Sequence, residues 1–120
     1  MGLHTLIVDD NQDISTLLRD IADMENHDSR VVSTGQDALA ALQEGEDFDL
    51  IFCDISLPDL SGWEVIDYVR KSNPQTVVTV ISGMGTTINN EKLETYQIQH
   101  IIQKPFQIDD IQKVFQDVQG

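Results

Sequence analysis

Short apolar runs alternate along this chain with stretches in which apolar residues recur every three or four positions. The runs cover residues 6–8, 31–32, 50–53, 77–81 and 101–102, and their β-branched side chains are typical of strands. The intervening stretches and the C-terminal stretch have helical periodicity, although the polar segment 86–96 predicts only a weak helix. The pattern therefore predicts five consecutive strand–helix units.

The apolar runs are continuous rather than alternating with polar residues, which indicates strands covered on both faces of a sheet. A repeated strand–helix order predicts an α/β fold, in which a parallel sheet lies between two layers of helices. A chain of 120 residues provides for one domain. In such sheets, sites form at the carboxyl ends of the strands.

Polar residues that can carry chemistry follow four of the predicted strands. Asp9 and Asp10 come after the first, Asp54 after the third, Ser82 after the fourth and Lys104 after the fifth. Carboxylates that converge repel one another, and a hard divalent cation such as Mg²⁺ relieves that repulsion. A carboxylate beside such a cation can attack phosphorus. We therefore predict a metal-assisted phosphoryl site at this edge.

Each of these signals has a simpler interpretation when it is taken alone. Asp10 or the residue after it is suited to cap a helix, Asp54 to a loop, and Ser82 with the following glycine to a turn. Lys104 with the following proline is suited to end a strand. Their occurrence together, at four strand ends of one predicted edge, favours a functional site.

Composition excludes several classes of protein. Seven Lys and Arg stand against 21 Asp and Glu, a formal charge of −14, so binding to nucleic acid is disfavoured. The single cysteine, Cys53, allows no internal disulfide and is expected to be a small buried side chain. No apolar run reaches the roughly 18 residues of a membrane span, and residues 1–8 lack the features of a signal peptide. A cytoplasmic protein without membrane contact is expected.

Residues outside the predicted phosphoryl site are interpreted as ordinary structural residues. The acidic stretch 44–49 is predicted to be a solvated loop. The three histidines, His4, His27 and His100, are interpreted as surface or strand-end residues, His27 in a polar loop. Trp63, at the start of the third predicted helix, is expected to pack in the core or at its border.

Four motifs together resemble the receiver domain of two-component response regulators: Leu6–Asn11, Asp54–Gly62, Val80–Gly83 and Lys104–Phe106. The resemblance implies a receiver domain over residues 3–119, with no output domain in this chain. It also implies a flavodoxin-like (βα)5 fold whose five-stranded parallel sheet has the order 2-1-3-4-5. Such a domain is a signalling module rather than an enzyme, although it catalyses its own phosphorylation and dephosphorylation.

The resemblance also assigns roles to individual residues. Asp54 would be the phosphoacceptor, Lys104 would contact the phosphoryl group, and Ser82 would move toward it on activation. The cofactor would be Mg²⁺ or Mn²⁺, and its ligands would be Asp9 through a water molecule, Asp10, Asp54 and the backbone carbonyl of Ser56. Ser56 and Met84 would occupy positions that tune dephosphorylation. The Lys104–Pro105 peptide bond would be cis.

One departure from the family pattern concerns signal transmission. Ile101 stands where the family commonly has Tyr or Phe, three residues before the lysine. That aromatic side chain changes rotamer when the Ser or Thr moves, and a branched aliphatic side chain cannot do so in the same way. Residues 97–98, Gln-Ile, also replace the usual Gly-Ala. We expect the phosphoryl chemistry to be retained and the transmission of the signal to differ.

The resemblance implies partners as well. The phosphoryl donor would be a sensor histidine kinase or a histidine phosphotransfer protein. An output domain or target protein would contact the face formed by the fourth helix, the fifth strand and the fifth helix. The domain would be a monomer or a phosphorylation-dependent dimer.

Three other hypotheses remain open at this point. One is a degenerate receiver that acts as a protein-interaction module independently of phosphorylation, which Ile101 slightly favours. The second is a flavodoxin-like electron carrier, although clustered carboxylates would repel a flavin phosphate. The third is an aspartyl-phosphate hydrolase, which would ordinarily have a second carboxylate two residues after Asp54, where this chain has Ser56.

Overall fold

Five strands alternate with five helices in the computed structural model, which describes residues 2–83, 85 and 87–120. The strands are β1 (His4–Val8), β2 (Asp28–Val32), β3 (Leu50–Asp54), β4 (Val77–Ser82) and β5 (His100–Gln103). The helices are α1 (Gln12–Met24), α2 (Gly35–Gln43), α3 (Gly62–Ser72), α4 (Asn90–Thr95) and α5 (Ile108–Gln119). Met84, which was predicted to tune dephosphorylation, lies outside the described residues.

All neighbouring strands in the sheet are parallel, and their order is β2-β1-β3-β4-β5. The predicted fold and strand order are thereby confirmed. Every residue of β3 is buried, because this strand has a neighbour on each side and helices on both faces. The edge strands β2 and β5 contain exposed residues, as expected where one side of a strand lacks a partner.

Alternate residues of the strands belong to two separate hydrophobic clusters, one on each face of the sheet. One face of β3 presents Ile51 and Cys53 to side chains of α2 and α3. The other face presents Leu50 and Phe52 to side chains of α1 and α5. The result is the predicted three-layer sandwich, and it holds the carboxyl ends of the strands rigidly at one edge. Among the described residues, no helix combines the length and apolar character needed to cross a bilayer.

Local signals fix where the helices begin. Asn11, Thr34 and Asn89 each accept hydrogen bonds from backbone N–H groups in the first turn of the helix that follows. α3 begins with a capping box, in which Ser61 N–H donates to Glu64 Oε2 at 3.1 Å and Trp63 N–H donates to Ser61 Oγ at 3.2 Å. The polar fourth helix is the shortest of the described helices, with six residues.

The structure corrects the interpretation of His27 and supports several others. His27 does lie in the loop before β2, but it is buried, where its Nδ1 accepts from Leu3 N–H at 2.8 Å and its ring stacks on Phe115. The apolar residues of α5 thus provide a site for the ring that local sequence does not reveal. Cys53 is buried as expected, and Trp63 packs against the core.

The acidic stretch 44–49 is only partly the solvated loop that its composition predicts. Glu44, Asp47 and Asp49 are exposed, whereas Glu46 is half-buried in contacts with His4 and Arg30. His4 and His100 begin β1 and β5, in agreement with their interpretation as strand-end residues.

Candidate functional site

The polar residues predicted to converge do meet at the carboxyl edge of the sheet. Asp9 directly follows β1, Asp54 ends β3, and Lys104 directly follows β5. Carboxylate oxygens of Asp9, Asp10 and Asp54 lie within 4.8 Å of one another. Lys104 Nζ lies 2.9 Å from Asp54 Oδ2 and 3.1 Å from Asp9 Oδ2. Asp9 and Asp54 thus share one ammonium, and with Asp10 the cluster of three carboxylates and one ammonium has a formal excess of two negative charges.

Asp9 is the most deeply placed carboxylate of this cluster, with 1% of its surface exposed. Burial raises the pKa of Asp9 above its ordinary value, against the opposing effects of a hydrogen bond from Asn11 N–H at 2.8 Å and of the nearby Lys104 ammonium. The raised pKa means that the local charges do not fully compensate the buried carboxylate. An additional cation would favour its ionised form.

Lys104 is the cation that the chain itself supplies. Burial alone would lower the pKa of Lys104, but its hydrogen bonds and ion pairs with Asp54 and Asp9 outweigh burial, so the pKa is raised. The backbone N–H of Lys104 donates to the carbonyl of Ser82 at 2.8 Å, and the Lys104–Pro105 bond is cis, as the resemblance implies. Lys104 is therefore positively charged and held against the two buried carboxylates.

Asp10 differs from its neighbour because it is exposed. It does not cap α1, since that role belongs to Asn11, whose side chain accepts from Asp13 N–H and Ile14 N–H at 3.0 and 3.3 Å. The carboxylate of Asp10 is thus left at the mouth of the cluster. An exposed carboxylate beside two buried ones is accessible to a hydrated cation.

The loop after β3 folds back tightly on Asp54. Ser56 N–H donates to Asp54 Oδ1 at 2.8 Å, and Gly62 N–H donates to the carbonyl of Ile55 at 3.0 Å. A Cβ atom at Gly62 would lie 2.4 Å from the Asp54 carbonyl oxygen, so only glycine permits this close approach. The resulting turn holds the backbone of Ser56 next to the carboxylate of Asp54.

Ser82 and Ile101 are the two residues linked above to activation and signal transmission. Ser82 is fully buried at the end of β4, and its hydroxyl makes no hydrogen bond to the described residues. Ile101 lies in β5 opposite Val80, with 41% of its surface exposed. The Ser82 hydroxyl is therefore available to a new hydrogen-bond partner. On the neighbouring strand β5, the aliphatic Ile101 stands at the position where an aromatic residue was considered above.

Sequence reasoning missed one residue that shapes this edge of the sheet. The carboxylate of Asp59 accepts hydrogen bonds from Gly35 N–H and Gln36 N–H, at 2.8 and 2.9 Å, and so joins the loop after β3 to the start of α2. These partners are 24 and 23 positions away in the sequence. No local pattern could have identified the contact, although a carboxylate directly after Pro58 is a common turn signal.

The fold and the site together can be compared with known proteins. The family model for the response regulator receiver domain matches residues 5–116. A solved CheY-like receiver domain from Methanospirillum hungatei superposes with a TM-score of 0.88 at 26% identity, covering 99% of this chain and 95% of the other. A solved NtrX structure from Brucella abortus superposes with a TM-score of 0.83 at 32% identity, covering 98% of this chain and 27% of the other.

Curated relatives are longer proteins. The nitrogen assimilation regulatory protein NtrX of Azorhizobium caulinodans is 36% identical over 114 residues, which cover 91% of this chain and 24% of the relative. The transcriptional regulatory protein YkoG of Bacillus subtilis is 29% identical over 108 residues, which cover 90% of this chain and 47% of the relative. The chain thus spans about a quarter of the length of one relative and about half of the other. It belongs to the response regulator receiver domain family.

Proposed function

We propose that this receiver domain accepts a phosphoryl group on Asp54 from a sensor histidine kinase or a histidine phosphotransfer protein, with the help of a divalent cation. The observation that carries the proposal is the convergence of Asp9, Asp10 and Asp54 within 4.8 Å, with Lys104 in contact. Asp54 would accept the phosphoryl group, and Asp10 at the exposed side of the cluster would hold the metal together with Asp54.

The residues present fit Mg²⁺ or Mn²⁺ at this site. All the available donors are oxygen atoms, the local charge is negative, and Asp10 is open to solvent, as a cation that keeps several of its waters requires. We assign Asp10, Asp54 and the backbone carbonyl of Ser56 as direct ligands, with Asp9 acting through a water molecule. When bound, the cation would neutralise the carboxylates and the incoming phosphoryl oxygens.

The chain's own residues account for the transfer step. A carboxylate oxygen of Asp54 attacks phosphorus, and an O–P bond forms as the P–N bond of the phosphohistidine breaks. The electron pair of the broken bond remains on the imidazole nitrogen of the donor. Lys104 is already 2.9 Å from Asp54 Oδ2, so its ammonium can follow the negative charge onto the phosphoryl oxygens. The Ser82 hydroxyl, which has no partner among the described residues, can then donate to one of those oxygens.

Phosphorylation would change which proteins the domain binds. We assign this switch to the face formed by α4, β5 and α5, which would contact an output domain or target protein, with the domain as a monomer or a phosphorylation-dependent dimer. The relatives named above include transcriptional regulators, but the charge of −14 disfavours direct contact between this domain and DNA. The proposed phosphoryl donors would place the domain in the cytoplasm.

Intact-mass measurement after incubation with Mg²⁺ and acetyl phosphate tests the proposal directly. The wild-type chain should gain one phosphoryl group, and Asp54→Asn should gain none under the same conditions. Omission of Mg²⁺ should abolish the adduct in the wild type. If the wild type gains no adduct, and its spectra do not change on addition of beryllofluoride with Mg²⁺, the phosphorylation-independent interaction module becomes the better description.

A further inference from the structure

The loop that connects β3 to α3, residues 55–61, is fastened at its tip as well as at its base. At the tip, the two oxygens of Asp59 receive separate hydrogen bonds, Oδ1 from Gly35 N–H at 2.8 Å and Oδ2 from Gln36 N–H at 2.9 Å. Gly35 is the first residue of α2, so the carboxylate of Asp59 caps this helix from a distant part of the chain. The contact is charge-assisted and lies at the positive end of the helix dipole.

Packing at the same place reinforces these hydrogen bonds. Leu60 lies so close to Gly35 that a Cβ atom at Gly35 would be 2.8 Å from the Cβ of Leu60. Gly35 is buried, and Thr34 separately accepts from Asp37 N–H at 3.0 Å. Asp59 therefore does not duplicate the local cap of α2, because it satisfies different N–H groups.

The pKa of Asp59 agrees with this geometry. Hydrogen bonds from the backbone, the largest from Gln36, hold the pKa of Asp59 below its ordinary value, although the carboxyl is exposed. Asp59 is thus an ionised acceptor at neutral pH.

At its base, the loop is closed beside the proposed metal site. Ser56 and Ser61 form an antiparallel bridge, and Ser56 N–H donates to Asp54 Oδ1. The loop is therefore a short closed turn, with the carbonyl of Ser56 at one end and Asp59 at the other. A change at Asp59 can reach Ser56 through only two intervening residues.

We infer that Asp59 is a positioning residue for the metal site, because its attachment to α2 holds the Ser56 carbonyl where the cation requires a ligand. The inference rests on the proposed function, in which Ser56 supplies that carbonyl. Without the attachment, the loop would have to be ordered when the cation binds. Loss of a partner that orients a metal ligand typically weakens metal binding by about 10–100-fold, and for one backbone ligand of several we expect the lower end of that range.

Metal binding itself is the primary measurement. Mg²⁺ would be titrated into the metal-free chain, with Trp63 fluorescence and calorimetry as independent signals, since Trp63 lies in the first turn of α3, next to the loop. Asp59→Ala should bind Mg²⁺ roughly tenfold more weakly than the wild type. Asp59→Asn keeps one acceptor oxygen and should lie between the two. Asp47→Ala, which removes an exposed loop carboxylate at the opposite end of the sheet, is the matched control and should bind like the wild type.

Phosphorylation kinetics separate positioning from direct participation. With acetyl phosphate as donor, Asp59→Ala should be slow at low Mg²⁺ and should approach the wild-type rate when Mg²⁺ is saturating. A defect that persists at saturating Mg²⁺ would overturn the assignment of Asp59 as a positioning residue. A purely structural role would instead lower thermal stability without changing the Mg²⁺ dependence of the rate.

A second variant, Gly35→Ala, keeps the inference testable if Asp59→Ala fails to fold. Gly35→Ala keeps the Asp59 side chain and favours the helix, but its added Cβ atom forces Leu60, the neighbour of Asp59, away from α2. It should also weaken Mg²⁺ binding. Normal Mg²⁺ affinity in folded Asp59→Ala, or in Gly35→Ala if Asp59→Ala fails to fold, would overturn the inference. Failure of the wild type to bind Mg²⁺ or to gain a phosphoryl group would instead overturn the proposed function.

Discussion

Charged side chains cluster at both ends of the sheet, but they are buried at one end and in contact with solvent at the other. At the carboxyl end, Asp9 and Asp54 are buried, with 1% and 4% of their surface exposed, and they share the single ammonium of Lys104. At the amino end, Arg30 lies on the surface between Glu44 and Glu46, with N–O distances of 3.0 and 2.7 Å.

The difference between these ends shows that burial, rather than the number of charges, distinguishes a site from a solvated surface. The amino-end carboxylates Glu44 and Glu46 remain in contact with water, with 59% and 32% of their side-chain surface exposed, so they have little need of another cation. Asp9 and Asp54 at the carboxyl end are almost completely removed from water, and this burial raises the pKa of Asp9. Four experiments test this comparison.

Removal of the ammonium should have the largest effect. Lys104→Met leaves Asp9 and Asp54 buried without a cation, and we expect the metal-free chain to lose about 1–3 kcal/mol of unfolding free energy, after allowance for the partial exposure of Lys104. Urea unfolding in the presence of a chelator measures the loss. Lys113→Met, at an exposed position on α5, is the control and should change little. Equal losses in the two variants would contradict the comparison.

Addition of Mg²⁺ should raise the unfolding free energy of the chain by binding at the carboxyl end of the sheet and not at the amino end. At a free concentration ten times its dissociation constant, a ligand that binds only the folded state raises the unfolding free energy by about 1.4 kcal/mol. Asp10→Asn should reduce this gain at the same Mg²⁺ concentration, since it removes the accessible carboxylate of the cluster. Arg30→Met should keep the gain in full. Thermal unfolding with and without Mg²⁺ provides the measurement, and a gain that survives in Asp10→Asn would count against the proposed ligand set.

Disruption of the amino end should cost less than loss of Lys104. Arg30→Met breaks ion pairs with the exposed Glu44 and the half-buried Glu46, both of which remain in contact with water, so their contribution is small and is screened further by salt. Urea unfolding at low and high salt should show a modest loss that shrinks as salt is added. A loss as large as that of Lys104→Met, or one insensitive to salt, would show that the two ends are energetically alike.

The smallest expected effect is a pH dependence that belongs to Glu46. A hydrogen bond with His4 and an ion pair with Arg30 lower the pKa of Glu46 from its ordinary value of 4.5. A lowered folded-state pKa means that Glu46 contributes stability above pH 4.5, and that this contribution is lost as the pH falls through the folded-state pKa.

Unfolding of Glu46→Gln over a range of acid pH provides the test. The wild type should be more stable than Glu46→Gln at neutral pH, and the difference should disappear on acidification. Glu91→Gln, which changes an exposed residue of α4, should show no comparable pH-dependent difference from the wild type. A Glu46→Gln difference that stays constant with pH would mean that Glu46 acts through packing rather than charge.

Much of the site followed from the sequence because its residues sit at strand ends. Asp9, Asp54 and Lys104 are far apart in the chain, but parallel strands bring their carboxyl ends to one edge, so the convergence could be predicted without coordinates. The site roles of these residues remain proposals for the experiments above. His27 and Asp59 could not be placed, because their partners Phe115 and Gln36 lie in remote elements.

The sequence was sufficient to predict the alternation of strands and helices, the parallel sheet and the residues that meet at its edge. These features depend on the hydrophobic period of each segment and on the order of the segments, and both can be read directly from the sequence. Only the folded chain shows which carboxylates are buried, how Lys104 is shared between Asp9 and Asp54, and how Asp59 joins the loop to α2. Burial and long-range hydrogen bonds depend on how whole elements pack, and that information is absent from any short stretch of the chain.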